Sequence, residues 1–277
     1  MTSTGYQRAP TDDPQSVPIR DAATVLVVRD APKLQVLMLQ RGSRLAFGPQ
    51  AWVFPGGRVD SDDAHHGDRV GRGLSDAQAS ALLDVPADGL AWWFAACRET
   101  LEEAGLLLGD TGTTHDVVER LRAVAADDPG RFVETLEAEG VTLDLTSLHE
   151  IARFTTPVGP PRRFDTRFFL AAAPEGQVAT HDQGETVDLA WIEPAEAIAR
   201  WRAEQMPIMP VTVRMLSCLA RFETAAEALS VAASRPATQK VRIADPDGEY
   251  RVLMPGESGY DEAEIQIDHG WVRLWKT

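Results

Sequence analysis

The sequence is short of cysteine and of long apolar runs. Its 277 residues include only two cysteines, Cys97 and Cys218, too few and too far apart for a disulfide framework or a cysteine-rich metal site. Both lie in apolar surroundings, so we expect inert, buried thiols. No apolar run approaches the length that spans a membrane, and residues 1–20 lack the apolar core of a signal peptide. We therefore expect a cytoplasmic protein with no membrane partner.

Positive charge is scarce as well. The chain carries 27 basic against 42 acidic side chains, a formal net charge of −15, which argues against binding nucleic acid through bulk charge. A small polyanion is still compatible with this balance, because a divalent cation or a few arginines reverse the sign inside a cleft. The length fits one large domain or two small ones.

The order of apolar patterns predicts an α/β fold. Residues 22–28 and 35–39 read as a strand hairpin, 52–54 as a short strand, and the tail from Lys240 alternates as a β-meander would. Further strands are predicted at 151–155, 166–171 and 187–192. Helices are predicted at 77–83, 90–108, 117–125, 131–139, from Pro194 onward, and at 211–233.

Three glutamates stand out on the helix predicted at 90–108. Glu99, Glu102 and Glu103 are spaced i, i+3 and i+4, so their carboxylates share one face and repel each other. A solvated acidic face is the ordinary explanation for such a pattern. The segment is flanked by apolar residues on both sides, however, and a carboxylate cluster on a largely buried helix favours a resident Mg²⁺ or Mn²⁺ ion.

The same segment carries a family resemblance. Gly57, followed later by Arg98-Glu99-x-x-Glu102-Glu103-x-Gly105-Leu106, resembles the Nudix box of hydrolases that cleave a nucleoside diphosphate linked to another moiety. Thr100 stands where an aliphatic residue is usual. The early glutamate of the box is missing: Asp63 occupies its place, and 34 residues separate Asp63 from Arg98, far more than the box allows. Asp60, Asp62 and Asp63 are all candidates for the early acid.

Two further stretches narrow the resemblance. Val53-Phe54-Pro55-Gly56-Gly57 and Pro161-Arg162-Arg163-Phe164 are similar to a subgroup with a long insertion in the box, which includes peroxisomal coenzyme A diphosphatases. The resemblance implies a Nudix-type α/β/α sandwich with a mixed β-sheet, a helical insertion and a C-terminal β-extension. The implied organisation is a tail at 1–20, a Nudix domain at 21–235 with its insertion at about 64–90, and the extension at 236–277.

Both additions to the domain carry expectations of their own. In the insertion, we expect 62–73 to be a mobile loop and 77–83 to be a helix near the mouth of the cleft. In the extension, Trp271 and Trp275 suggest a surface for a possible homodimer.

The resemblance also implies roles in catalysis. Arg98 pairs with a glutamate of the box and fixes its rotamer, and Glu185 is the candidate for a catalytic base or an additional metal ligand. An exposed loop glutamate without such a role is an equally good interpretation of Glu185. The metal set implied by the box is Glu99, Glu102, Glu103 and Gly57.

Substrate contacts are predicted from residue type. Arg162 and Arg163 suit a phosphate, with Arg58 adding to a positive wall, although arginines more often form surface ion pairs. Trp52 and Phe54 suit stacking on a base, although a Trp-x-Phe strand more often belongs to a core.

The predicted activity is Mg²⁺- or Mn²⁺-dependent cleavage of a diphosphate bond in a small-molecule nucleotide, most specifically coenzyme A or acyl-coenzyme A. One alternative is hydrolysis of ADP-ribose, NADH or a nucleotide sugar. An alternative of another class is a Nudix-fold sensor that binds a nucleotide without cleaving it; the presence of all three box glutamates favours the enzyme.

Overall fold

The computed structural model describes residues 13–43, 48–64, 67–110, 112–182, 184–244 and 250–276. Its strands are β1 (Ile19–Asp30), β2 (Leu34–Arg41), β3 (Trp52–Val53), β4 (Gly56–Arg58), β5 (Gly71–Arg72), β6 (Leu143–Asp144), β7 (His149–Thr155), β8 (Arg163–Ala172), β9 (Thr186–Ile192), β10 (Gln239–Ala244), β11 (Arg251–Leu253) and β12 (Ile265–Val272). Its α-helices are α1 (Gly67–Val70), α2 (Asp76–Leu83), α3 (Leu90–Ala104), α4 (His115–Asp127), α5 (Phe132–Ala138), α6 (Pro194–Arg202), α7 (Pro210–Leu219) and α8 (Ala225–Ala233). No helix in these ranges is both long and apolar enough to cross a membrane.

The main sheet is mixed, as predicted. Its strand order is β11-β10-β12-β7-β8-β1-β2-β3, and β9 pairs with β2. β1 and β8 run parallel over ten residue pairs, and the other pairings within this sheet are antiparallel. β1 is buried on both faces from Val25 to Val28, which accounts for its continuous apolar run.

The central strand β1 changes partner along its length. It pairs with β2 at Val28–Asp30 and with β4 at Ala22–Thr24. The turn that contains Gly56 and Gly57 is thereby held against the middle of the sheet, where the cleft described below opens.

Helices cover both faces of the sheet. Val25 and Val27 of β1 belong to a core shared with α3, α4 and α5, whereas Leu26 and Val28 belong to a second core shared with α6, α7 and α8. Alternate side chains of one strand point to opposite faces, so β1 supplies both cores. The architecture is the predicted α/β/α sandwich.

The segment predicted as a mobile loop contains regular structure. It includes a 3₁₀ turn at Ser61–Ala64, helix α1, and β5, which pairs in parallel with β6; residues 65–66 lie outside the described ranges. Val70 is buried in the core on the α3 side, which explains why this segment is held. The helix predicted at 77–83 is confirmed as α2, with a capping box between Ser75 and Gln78. Its Leu83 is buried in the same core, and α2 contributes no residue to the cleft.

Two predicted helices are too long. The helix predicted at 90–108 ends at Ala104, because Gly105 adopts a left-handed φ of 68° and donates its N–H to the carbonyl oxygen of Leu101. The helix predicted at 211–233 is two helices, α7 and α8. The Oγ1 of Thr224 accepts from the N–H of Glu227, whose carboxylate accepts from the N–H of Glu223, so a new helix starts there.

The C-terminal strands belong to the main sheet, but they do not form a meander. β12 pairs with β10 and β7 rather than with its neighbour in sequence, β11. β11 is only three residues long and lies at the edge of the sheet. The longer β12 therefore joins the terminal strands to the rest of the fold.

Candidate active site

The three box glutamates lie near the C-terminal end of α3. The helix buries Trp93, Phe94 and Leu101. Its glutamates line a cleft of about 520 Å³ that is also lined by β4 and by residues of β1, β7 and β8. Glu102 and Glu103 occupy the last helical turn, where the helix dipole already disfavours negative charge. The fold therefore concentrates negative charge at a point that calls for a cation.

Arg98 is the fixed centre of this region. Its guanidinium is 1% exposed and donates from Nε and Nη2 to the two carboxylate oxygens of Asp63, at 2.8 and 2.9 Å. Its Nη1 donates to Oε1 of Glu99 at 2.7 Å, and its Nη2 also donates to the carbonyl oxygen of Arg58. Burial alone would lower the pKa of Arg98, but Asp63 and Glu99 raise it above its ordinary value.

This geometry distinguishes among the three early acids. Asp63 is 2% exposed and makes the two-pronged contact with Arg98, whereas Asp60 lies 3.6 Å from the guanidinium and lines the cleft. Asp62 is exposed. The partner of Arg98 at the start of the box is thus Asp63, although the insertion separates the two in sequence.

The glutamates are held by different partners. Oε2 of Glu103, which is 6% exposed, accepts from the N–H of Gly56 at 2.9 Å. Burial, and then repulsion from Glu99, raise the pKa of Glu103 well above its ordinary value. Burial also raises the pKa of Glu99, against the opposing effect of Arg98. For Glu102, burial and Glu99 raise the pKa to about 7.

Gly57 is required by the close approach of Glu99. A Cβ atom at Gly57 would lie 2.4 Å from the Glu99 carboxylate, a distance that no side chain can occupy. The neighbouring Gly56 has a φ of 153°, and a Cβ there would lie 2.4 Å from the carbonyl oxygen of Ala23. The two glycines thus bring backbone directly against the carboxylates of α3.

The N–H of Thr180 donates to the carbonyl oxygen of Ala104 at the end of α3, and the acidic segment that follows Thr180 contributes to the cleft. Asp182 and Glu185 both line it, and the charge of Glu185 contributes to the raised pKa values of Glu102 and Glu103. Asp182 accepts from the N–H groups of Glu185 and Thr186 and from the Thr186 hydroxyl. Burial would raise the pKa of Asp182, but these hydrogen bonds lower it. Sequence reasoning missed Asp182, although an Asp shortly before Glu-Thr is a common turn signal.

Only some of the residues predicted to contact the substrate line the cleft. Arg58 and Arg162 are exposed and line the cleft. Arg163 does not line it, and its Nε donates to the carbonyl oxygen of Thr156. Phe54 lines the cleft although it is 3% exposed, whereas Trp52 packs against the core on the α7 side and is not a lining residue.

Thr100 replaces the aliphatic residue that is usual at this position of the box, and it buries a hydroxyl group. Its side chain is fully buried, and its hydroxyl has no hydrogen-bond partner among the described residues. An aliphatic side chain would fill the same space without the cost of desolvating a hydroxyl.

The residue types suit a hard divalent cation. Carboxylates crowd one wall with raised pKa values, and Gly57 leaves room where a side chain would displace Glu99. Among the described residues, no three His, Cys, Asp or Glu side chains are already gathered around one point. Mg²⁺ is usually bound by one or two carboxylates together with water and substrate phosphates rather than by a complete protein cage, so an open wall of carboxylates fits it.

Comparison with known proteins shows the family of the chain. The family model of the NUDT19 Nudix domain matches residues 73–219. The chain is 28% identical to the acyl-coenzyme A diphosphatase NUDT19 of Gallus gallus, over 88% of this chain and 80% of the relative. Its identity to the Homo sapiens protein of the same name is 27%, over 80% of this chain and 67% of that relative. A crystal structure of a Nudix hydrolase from Alicyclobacillus acidocaldarius superposes with a TM-score of 0.66 at 29% identity, over 78% of this chain and 97% of that one. The chain belongs to the NUDT19 Nudix domain family and is a Nudix hydrolase.

Proposed function

We propose that this hydrolase cleaves the diphosphate of coenzyme A or acyl-coenzyme A, releasing 3′,5′-ADP and phosphopantetheine or its acyl derivative. The observation that carries the proposal is the pairing, in one cleft, of the carboxylates on α3 with the exposed guanidinium of Arg162. The first suits a metal-bound diphosphate, and the second suits an additional phosphate. The names of the chicken and human relatives point to the same substrate class.

Nudix hydrolases generally use a divalent metal, and here we propose Mg²⁺ or Mn²⁺. Glu99 and Glu103 would be direct ligands, with Glu102 and the backbone of Gly57 completing the set. When bound, such an ion neutralises the diphosphate and acidifies water for in-line attack.

The other residues position these groups. Arg98 fixes the rotamer of Glu99 through Nη1, while Asp63 holds the guanidinium from its other edge. The N–H of Gly56 fixes Glu103. Glu185, which lines the same cleft, would accept the proton of the attacking water, and Asp182 orders the turn that carries Glu185.

Substrate selection would fall mainly to Arg162. It is exposed and lines the cleft, so its guanidinium can reach the 3′-phosphate that ADP-ribose and NADH lack. Arg163 would act indirectly, by tying the start of β8 to Thr156. Phe54 offers an aromatic surface in the cleft on which the adenine could stack. Trp52 would stabilise the fold and would not contact the adenine.

Hydrolysis of coenzyme A and of dephospho-coenzyme A, measured with Mg²⁺ and with EDTA, tests this proposal. We expect a preference for coenzyme A in kcat/KM, and Arg162→Ala should reduce this preference several-fold because the 3′-phosphate loses its partner. Arg202→Ala removes an exposed arginine on α6, outside the cleft, and serves as the matched control. Equal rates on both compounds in the wild type would contradict the role of Arg162. Faster cleavage of ADP-ribose or NADH would favour the alternative substrate class.

A cytoplasmic location and a homodimer remain predictions. The two tryptophans behind the dimer prediction contact arginines of the same chain: Arg273 lies over Trp271 and Arg221 over Trp275. Size-exclusion chromatography with light scattering would settle the oligomeric state.

A further inference from the structure

The cleft has two chemically different ends. The acidic end is formed by α3 and β4. The other, which we call the apolar end, is lined by Phe154, Phe164, Phe168, Val211, Ile243 and Ile267. Among the described residues that β7, β8, β10, β12 and α7 contribute to the cleft, none is charged. An apolar surface does not stabilise a charged diphosphate, so a different part of the substrate must bind there.

The apolar end is well ordered by packing. Phe154 and Phe168 meet edge to face, with ring centroids 5.5 Å apart, and Ile243 is 2% exposed. Phe164, Val211 and Ile267 are half-buried, so part of their carbon surface stays open to the cleft. This surface is continuous with the proposed catalytic site rather than a separate patch.

Strand order gives the length of the cleft. From β4 the sheet passes through β1, β8 and β7 to β12, which is four strand spacings, or roughly 19 Å along the sheet. The pantetheine arm of coenzyme A is about as long as four peptide residues, so it extends ~14 Å. A thioester at its end would reach β7, and the acyl chain beyond it would lie on β12 and β10. The ribose and adenine are joined directly to the diphosphate and would end short of those strands.

We propose that the apolar end binds the acyl chain of acyl-coenzyme A, and that Ile267 and Ile243 of the C-terminal strands set the preference for acylated over free coenzyme A. This inference rests on the proposed function. Each additional CH₂ buried there should raise kcat/KM about three- to four-fold until the surface is filled.

Turnover of free, acetyl- and octanoyl-coenzyme A tests the proposal. In the wild type, kcat/KM should rise from acetyl- to octanoyl-coenzyme A. Ile267→Thr places a hydroxyl on the apolar end, and the ratio of kcat/KM for octanoyl- to free coenzyme A should fall at least five-fold. Ile265→Thr is the matched control: it makes the same change in the same strand at a residue that does not line the cleft, and it should keep the wild-type ratio.

Two outcomes would overturn the proposal. No gain from acetyl- to octanoyl-coenzyme A would mean that the chain is not bound. A drop of equal size on free and octanoyl-coenzyme A in Ile267→Thr would place another part of the substrate, such as adenosine, at the apolar end.

A binding measurement tests the acyl site independently of the proposed catalytic activity. Calorimetric titration of Glu103→Gln with octanoyl- and free coenzyme A should give at least ten-fold tighter binding, and a more negative heat-capacity change, for the acylated ligand. Equal affinities would overturn the acyl site. Tighter octanoyl binding without turnover of any coenzyme A compound by the wild type would instead refute the proposed activity alone.

Discussion

Two buried clusters of arginine and carboxylate lie in this domain, and they differ in their balance of charge. In one, Arg98 is surrounded by Asp63 and Glu99, with further carboxylates beyond them in the cleft. In the other, Glu150 is paired with two arginines, Arg167 at 2.8 Å and Arg235 at 3.2 Å. The first cluster has an excess of negative charge and opens to the cleft, whereas the second has an excess of positive charge and contributes no residue to that cleft.

The surplus positive charge of the second cluster is used within the fold. Arg167 and Arg235 donate to the carbonyl oxygens of Leu83 and Leu82, at the end of α2, where a helix favours cations. This cluster therefore anchors the insertion to β7 and β8. The negative charge of the Arg98 cluster is offset only in part: Arg41 lines the same cleft and opposes the raised pKa of Glu103, which still lies well above its ordinary value. Strongly perturbed carboxylates in a cleft are typical of a site that binds a ligand.

The largest expected effect comes from removing charge at the acidic cluster. Glu103→Gln keeps the side-chain volume and an oxygen for the Gly56 N–H, but it removes a proposed metal ligand. We expect turnover at saturating Mg²⁺ to fall by about a thousand-fold, with a melting temperature equal to or above that of the wild type because repulsion is relieved. Rates close to those of the wild type would exclude Glu103 from the metal set.

The second cluster should respond in the opposite way. Glu150→Gln leaves Arg167 buried without a counter-charge, and breaking a buried pair of this kind costs about 3–5 kcal/mol of folding free energy. Urea denaturation should show this loss, while kcat of the folded fraction changes little. Glu139→Gln, which removes the partner of the exposed Arg120 in a surface ion pair, is the control and should leave stability nearly unchanged. A stable Glu150→Gln protein with reduced kcat would mean that the two clusters do not differ in function.

A smaller effect should appear as pH dependence. The raised pKa values of Glu99, Glu102 and Glu103 mean that the folded protein retains protons that the unfolded chain has already released. Without metal, stability should therefore fall as the pH rises from about 5 to 8. Calorimetry in EDTA would measure this decline, and Mg²⁺ should reverse it, more strongly at the upper end of the range. Glu102→Gln should make the decline shallower; an identical profile with and without Mg²⁺ would contradict the metal assignment.

The sequence predicted the structure best where reactive side chains and a helical apolar pattern occur on the same helix, as they do on α3. The spacing of the three glutamates predicted the shared face of α3, and the apolar residues around them predicted its burial. The length of α3 was overestimated because Leu106–Leu108 continue the apolar pattern, and only the left-handed φ of Gly105 shows where the helix stops.

The parts of the site and of the fold that the sequence did not predict depend on tertiary contacts, which leave little trace in a sequence. Asp60, Asp62 and Asp63 lie within one turn, so their spacing did not reveal which of them meets Arg98. The apolar end of the cleft combines Phe154 with Ile267, which are far apart in the chain and line the same cleft because β12 pairs with β7. A meander, which the local alternation predicted, would have placed β11 rather than β10 beside β12.

The contact between Asp63 and Arg98 also closes a loop. The 34 residues between them begin and end at the same buried ion pair, so the chain entropy lost in joining its ends depends on the logarithm of that length. Doubling the loop would cost only about 0.6 kcal/mol. Flexible residues can therefore be added at the surface of the insertion at little cost in folding free energy, provided that Val70 and Leu83 keep their places in the core.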